Sequence, residues 1–393
     1  MNRLQPEKEF ILSCMQSLIS GEHLCLQTDS IFDQKLDWDW IVRTSYNHRL
    51  LGFLSFILAK QNLVNKLEPR IQARLKAGLL KSYWKHRRKQ KQFQDVSRIL
   101  NTKGIRVIPL KGVALSHLVY DDVPFRVMSD IDILVQQNDL PESFRLLGKA
   151  GFCDREAPSK NRWHQKIYAE AAPLYQNNIG RLPLTRKDLE LDVHFDPSYR
   201  IQQRHVEMDV TGMWQRALHF PNLGSNVYML HPRDQVVHLL LHTAEFHCPR
   251  LIQALDIARV MEKYSVHAAD IADEMKLIPP FAQSTLGTFV NAIQELIDIE
   301  SNEARFSQET TEVFERWFSR DSIPEESVDY PPKDFIGLEM LKKIRSRWKR
   351  LIFVAGYFLP NPDYYRRKQY RFSYLAHWSG LISKAWRLGR SKF

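Results

Sequence analysis

The sequence predicts an α+β protein in which a small mixed β-sheet is set between helical segments, and three observations carry that expectation. Before residue 100 every apolar pattern has the helical period. Three short strand-like runs, at 105–110, 127–135 and 189–195, then interrupt it. From Pro232 the helical period returns and holds to about Phe318.

Pro6 opens a first helix that Gly21 closes, and Asp37 or Asp39 caps a second over "WIVRTSYNHRLLGFLSFILAK". A third runs from 69 to 100 with Ile71, Leu75, Leu79, Phe93, Val96 and Leu100 at helical spacing. Its basic centre, "KSYWKHRRKQKQ", reads as a solvated face. Gly104 ends that helix, and the run at 105–110 forms a strand followed by a Gly-containing turn. "VALSHLVY" is a short helix and "VMSDIDILV" a second strand. "LPESFRLLGKAG" is an amphipathic helix capped by Asn138 or Asp139 and ended by Gly151. After a stretch without clear pattern, "LELDVHF" alternates strictly, with Leu189, Leu191, Val193 and Phe195 on one face and Glu190, Asp192 and His194 on the other. "RDQVVHLLLHTAEFH" and "RLIQALDIARVMEKY" form an adjacent helix pair. These elements divide the chain into an N-terminal helical region (1–100), a mixed core (101–200), a helical domain (201–318), a linker rich in acid, Ser and Pro (319–334) and a basic, aromatic tail (335–393).

At 393 residues the chain can bury a sizeable core without a disulfide or metal staple. Cys14, Cys25, Cys153 and Cys248 lie far apart with no C-x-x-C pair, the usage of reduced thiols in a cytoplasmic protein. The start, "MNRLQPEKEFILSCM", has acids and a proline where a signal peptide needs a basic start and an apolar run. "LIFVAGYFLP" is about half the length a bilayer crossing requires. A cytoplasmic location is therefore expected. The net charge of +11 is a property of the tail: residues 341–393 hold 14 Lys and Arg against Asp363 alone, so the rest of the chain is close to neutral. Such a tail suits an anionic partner, either lipid head groups at the inner face of a membrane or nucleic acid.

Chemistry concentrates between residues 108 and 195. Residues i and i+2 of a strand point the same way, so Asp130 and Asp132 present two carboxylates side by side while Ile131 and Ile133 face the core. Two like charges at that distance repel, and a divalent cation relieves them. Carboxylate oxygens suit Mg²⁺ or Mn²⁺. Asp192, from the third strand, is the candidate third acid of a site that clamps a phosphoryl displacement. Upstream, Lys111 and Gly112 lie where a strand turns into a helix, a place where backbone N–H groups meet phosphate. Arg126 either contacts phosphate or pairs with Asp121 or Asp122, with the pairing preferred. His194 shares the face of Asp192, and its role stays open. His238 and His242 have the i, i+4 spacing of a zinc pair, with His247 and Cys248 nearby, but the glutamate of H-E-x-x-H is absent and a half-buried histidine face is the better reading.

The order of strand, Gly turn, short helix, D-x-D and later single acid resembles the nucleotidyltransferase superfamily typified by DNA polymerase β. "LKGVALSHLVY", "FRVMSDIDILV", "LDVHFDP" and "HLLLHTAEFHCPRLIQALDIARVM" are similar to a bacterial branch of nucleotidyltransferases of unsettled substrate, over roughly residues 30 to 265. The resemblance implies the polymerase-β type of sheet, an NTP such as ATP as substrate, Gly112 in a phosphate turn, Asp130 and Asp132 holding metals, and Asp192 in the third acid position. It implies transfer of a nucleoside monophosphate to an acceptor that is a protein, a sugar or metabolite, or a nucleic acid. The superfamily's usual Gly-Ser is here Gly112-Val113, with Lys111 beside it. That departure motivates the alternative expectation, a non-catalytic binding or scaffold protein on the same fold.

Overall fold

The computed structural model describes residues 4–21, 36–120, 123, 125–154, 181–186, 189–197, 209–243, 250–276, 280–298 and 306–319. The linker and basic tail expected after residue 319 lie outside the described residues, as do Cys25, His247 and Cys248.

Helix α1 (Pro6–Ser20) ends at Gly21, whose φ of 74° takes the chain out of the helix. Asp37 caps α2 (Trp38–Asn47), its Oδ1 accepting the Trp40 N–H at 2.9 Å. The single helix expected over 40–60 is two: Arg49 has φ 62°, where a right-handed helix cannot continue, and α3 (Leu51–Lys60) starts afresh. At the break His48 is buried, and its Nδ1 accepts the backbone N–H of Leu251. Residue identity alone gave no sign of a partner 203 positions away. The 33 residues of α4 (Pro69–Asn101) bury Ile71, Leu75, Phe93, Val96 and Leu100 as their spacing requires, together with His86 and Lys89.

The sheet has the order β1-β2-β5-β4-β3. Strand β1 (Ile108–Leu110) is shorter than the expected run, because Val107 bridges to Val227 instead. Helix α5 (Lys111–Leu118) follows directly, then β2 (Ile131–Leu134), antiparallel to β1. Helix α6 (Leu140–Lys149) starts after Asp139, which makes no side-chain cap, and stops at Gly151 with φ 85°. Strands β3 (Cys153–Asp154) and β4 (Arg181–Arg186) fall in the stretch that showed no pattern. Strand β3 pairs with β4 at the edge, and β4 pairs antiparallel with β5 (Leu189–His194), which is parallel to β2. Helix α7 (Val210–Arg216) and the small pair β6 (Leu218–His219) and β7 (Tyr228–Met229) lead to helices α8 (Pro232–Thr243) and α9 (Leu251–Tyr264), which pack on each other. Then come α10 (Ala272–Lys276), α11 (Pro280–Asp298) and α12 (Gln308–Phe318).

One hydrophobic core spans these parts: Ile131, Ile133, Leu191 and Val193 from the sheet join Phe10, Phe53, Phe93, Leu255 and Phe314 from the helices. The apolar face of the sheet is thus closed by helices, which leaves its carboxylate face to form a site. Among the described residues no helix is long and apolar enough to cross a membrane. Cys14 is buried, and burial pushes its thiol pKa far above the ordinary value, so it behaves as a small apolar side chain.

Candidate active site

Strand register assembles the acids. In the parallel pair of β2 and β5, Asp132 is the direct partner of Asp192, so the two carboxylates stand on the same face of the sheet. They are 4% and 1% exposed, which makes each one costly to bury alone. Asp130 lies just ahead of β2, half-buried, where its Oδ1 accepts the Ser129 hydroxyl at 2.9 Å.

Asp132 is the hub. Its Oδ1 accepts from Lys111 Nζ at 2.8 Å and faces His194 Nε2 at 2.9 Å. Burial pushes the Asp132 carboxyl upward, but the Lys111 charge and the His194 hydrogen bond outweigh it and hold the group well below the usual carboxylate range. Lys111 is therefore a buried ion-pair partner here and does not snorkel to solvent. Its own backbone has φ 49°, a left-handed conformation uncommon for a residue with a Cβ, at the first position of α5. Gly112 is required by a close approach, since a Cβ there would lie 2.4 Å from Met128 Cγ. Val113 packs in the core, 1% exposed, so the side chain that departs from Gly-Ser points away from the cleft.

The cleft itself has about 200 Å³ of free space, room for many waters. Leu110, Lys111, Gly112, Ser129, Asp130 and Asp132 line one side. Opposite them stand His242 and Thr243 of α8, Arg250, Gln253 and Asp256 at the start of α9, and Arg49 from the break before α3.

Arg126 also lines this cleft and pairs with Asp256, while Asp121 and Asp122 lie outside the described residues. Its Nε and Nη2 donate to Asp256 at 2.9 and 2.5 Å, and Nη1 donates to the Val127 carbonyl at 2.6 Å. The Tyr120 hydroxyl donates to the same carboxylate at 3.0 Å. The planar guanidinium fits a carboxylate at two points, which a nearby loop aspartate must match in geometry as well as distance. Asp256, on the buried face of α9, does so from 130 positions away.

Two site-facing residues escaped the sequence. His238, expected as part of a half-buried face, is buried against the acid cluster. Burial lowers its pKa to about 3, with the charges of Lys111 and His194 adding to the effect. Lys89 is only 8% exposed, and its Nζ has no hydrogen-bond partner. Burial lowers its pKa, while Asp130, Glu190 and Asp132 pull it upward. A basic run hides such a residue, and only its phase on the helix, in line with His86 and Phe93, marks it as inward.

Among the described residues, Asp132, Asp192 and His194 form the single group able to hold a metal ion, with potential ligand atoms all within 4.8 Å of one another. The donor set fits a divalent cation. Two buried carboxylates stand side by side with an imidazole, and such a mixed oxygen and imidazole set suits Mn²⁺ as well as Mg²⁺. His194 thus joins the group that Asp130 was expected to complete, while Asp130 stands at the cleft beside it.

Residues 34–286 match the model of a protein family described as "uncharacterised nucleotidyltransferase". No curated protein sequence matches the chain.

Proposed function

Since the chain belongs to this family of uncharacterised nucleotidyltransferases, we propose that it moves a nucleoside monophosphate from an NTP to an acceptor with release of pyrophosphate, using Mg²⁺ or Mn²⁺. The register pairing of Asp132, which lines the cleft, with Asp192 directly beside it carries the reading, because two adjacent buried carboxylates and His194 offer the donors a divalent cation takes. Asp132 and Asp192 would hold the ion, with Asp130 or His194 as the further donor. When bound, the ion supplies positive charge to the phosphates and lowers the pKa of an attacking hydroxyl.

The chain's own groups do the rest. Lys111 and the backbone of the Gly112 turn bind the triphosphate, and Arg126, fixed by Asp256, adds positive charge to the wall of the cleft. Asp192 accepts the proton of the acceptor hydroxyl. That oxygen bonds to the α-phosphorus as the bond to the β-phosphate oxygen breaks, and pyrophosphate leaves with the electron pair.

Incubation with each of the four NTPs and Mg²⁺ or Mn²⁺, read by intact-mass spectrometry and by pyrophosphate release, tests the proposal. Release dependent on metal, and lost in Asp132→Asn and Asp192→Asn, is expected. Nucleotide binding that is indifferent to metal and to both substitutions would instead favour the scaffold alternative.

A further inference from the structure

Away from the cleft, the outer face of α4 is a ridge of unusual composition. Residues 69–94 contain nine Lys and Arg and no acid. Arg70 and Arg74 pair with Asp39 and Lys89 points inward; the other six lie along the helix. At 100° per residue Lys81, Arg87, Arg88 and Lys91 share an arc of about 120° with Leu80 and Trp84.

Those two apolar side chains are 50% and 67% exposed, and Tyr46, 55% exposed, joins them where Lys81 Nζ sits 5.3 Å from its ring centroid. Four large apolar side chains are exposed among the described residues, and three of them are in this patch. Scattered apolar exposure is ordinary, whereas a cluster on a rigid helix marks a contact surface. Burial of the opposite face of α4 already satisfies folding, so neither Trp84 nor Leu80 is needed for it.

The chemistry of the ridge specifies its partner. A stretch with no acid over about seven turns is complementary to an anionic surface. Trp, Tyr and Leu interleaved with Lys and Arg are the composition of side chains at the level of lipid head groups, with apolar tips inserted and charges beside phosphates. A single-stranded nucleic acid would want a groove and stacking partners, whereas this surface is convex and Leu80 offers no ring. We propose that the outer face of α4 docks on an anionic lipid surface. Contact by Leu80, Trp84 and Tyr46 at the centre, flanked by the basic residues, makes attachment dependent on both apolar insertion and charge.

Sedimentation of the full chain with phosphatidylcholine vesicles, with and without phosphatidylglycerol, tests this. Two variants are compared with the wild type: Leu80→Ser with Trp84→Ser, and Lys81→Gln with Arg88→Gln and Lys91→Gln. Unchanged melting temperatures show that both fold. Binding to anionic vesicles at low salt is expected to fall on the order of tenfold for the apolar pair. A fall of about fivefold for each charge removed is expected for the basic set. Failure of the wild type to bind anionic vesicles would overturn the proposal. So would equal binding by all three proteins, which would assign any attachment to another segment such as 341–393. Retained vesicle binding with lost affinity for a labelled single-stranded oligonucleotide would reassign the ridge to nucleic acid.

Discussion

Two buried charge clusters face each other across the cleft, and they are built to different stoichiometry. On one wall Asp256 receives the Arg126 fork and the Tyr120 hydroxyl, so one carboxylate meets one guanidinium with its lone pairs occupied. On the other, Asp132 receives Lys111 and His194 while Asp192 stands directly beside it in register. The first cluster pairs its charges and holds α9 against the segment that leads into β2. The second sets two carboxylates side by side, with Asp132 on the wall of the cleft. Burial and short contacts are common to both, so what distinguishes the second is the adjacent pair of carboxylates beside an imidazole.

The sharpest way to break that distinction is to remove one carboxylate from each cluster. Asp192→Asn should reduce transfer to background with the fold retained, since deleting like charge relieves repulsion, whereas Asp132→Asn should reduce transfer equally but cost stability by stranding the Lys111 charge. Asp256→Ala should destabilise the protein by about 3–5 kcal/mol, because it strands the Arg126 charge in the interior. Urea denaturation of the three variants reads both effects, and equal losses of stability in Asp192→Asn and Asp256→Ala would erase the difference between the clusters.

Metal linkage sharpens it next. Mn²⁺ at a hundredfold excess over its Kd should stabilise the wild type by about 2.7 kcal/mol. That gain should vanish in Asp192→Asn. A melting temperature that rises equally with and without Asp192 would place the ion elsewhere.

Each cluster also has a buried histidine nearby, which gives a pH signature. Burial lowers His238, beside Lys111 and His194, to about 3, and lowers His86, whose Nδ1 lies 3.3 Å from the Arg126 carbonyl, to about 4. Folding keeps both neutral, so below the unfolded value of about 6.5 the unfolded chain binds protons that the folded chain refuses. Stability should therefore fall by roughly 1.4 kcal/mol per pH unit for each histidine as pH drops from 6.5 towards 4. His238→Asn should halve the slope measured between pH 6 and pH 5, as about one of two protons is removed. An unchanged slope would mean that His238 titrates normally. Asp132 acts in the other direction of shift: its contribution is complete above about pH 4 and is lost only in stronger acid.

The smallest effect expected is at Lys89, whose ammonium lacks a partner. Lys89→Met should raise stability by about 1 kcal/mol by removing an unsatisfied buried donor. If activity falls in the same variant, Lys89 serves the acid row of Asp130, Glu190 and Asp132 rather than the fold.

The elements with strong local signals were legible in the chain. The caps at Asp37 and Gly21, the apolar phase of α4 and the alternation of β5 appear where their residues put them. Strand β4 was not legible, because "RLPLTR" carries a proline and no clean alternation, and it exists through its pairing with β5. The helix break at Arg49 was hidden for a similar reason, as His48 is held by the α9 backbone and no local residue announces it.

What the sequence determined by itself is therefore the set of faces. A period of two puts Ile131 with Ile133 on one side of a strand and Asp132 on the other, and Asp192 with His194 on one side of another strand, whatever the rest of the chain does, whereas Asp130 falls just ahead of its strand. Which faces meet was decided by tertiary structure alone. Parallel register set Asp132 against Asp192, α9 delivered Asp256 to Arg126, and α8 pressed His238 onto the acids. These pairings join residues tens to more than a hundred positions apart, where no periodicity extends. They follow from the one packing that buries the apolar faces together, and the charges take the partners that this packing brings within reach.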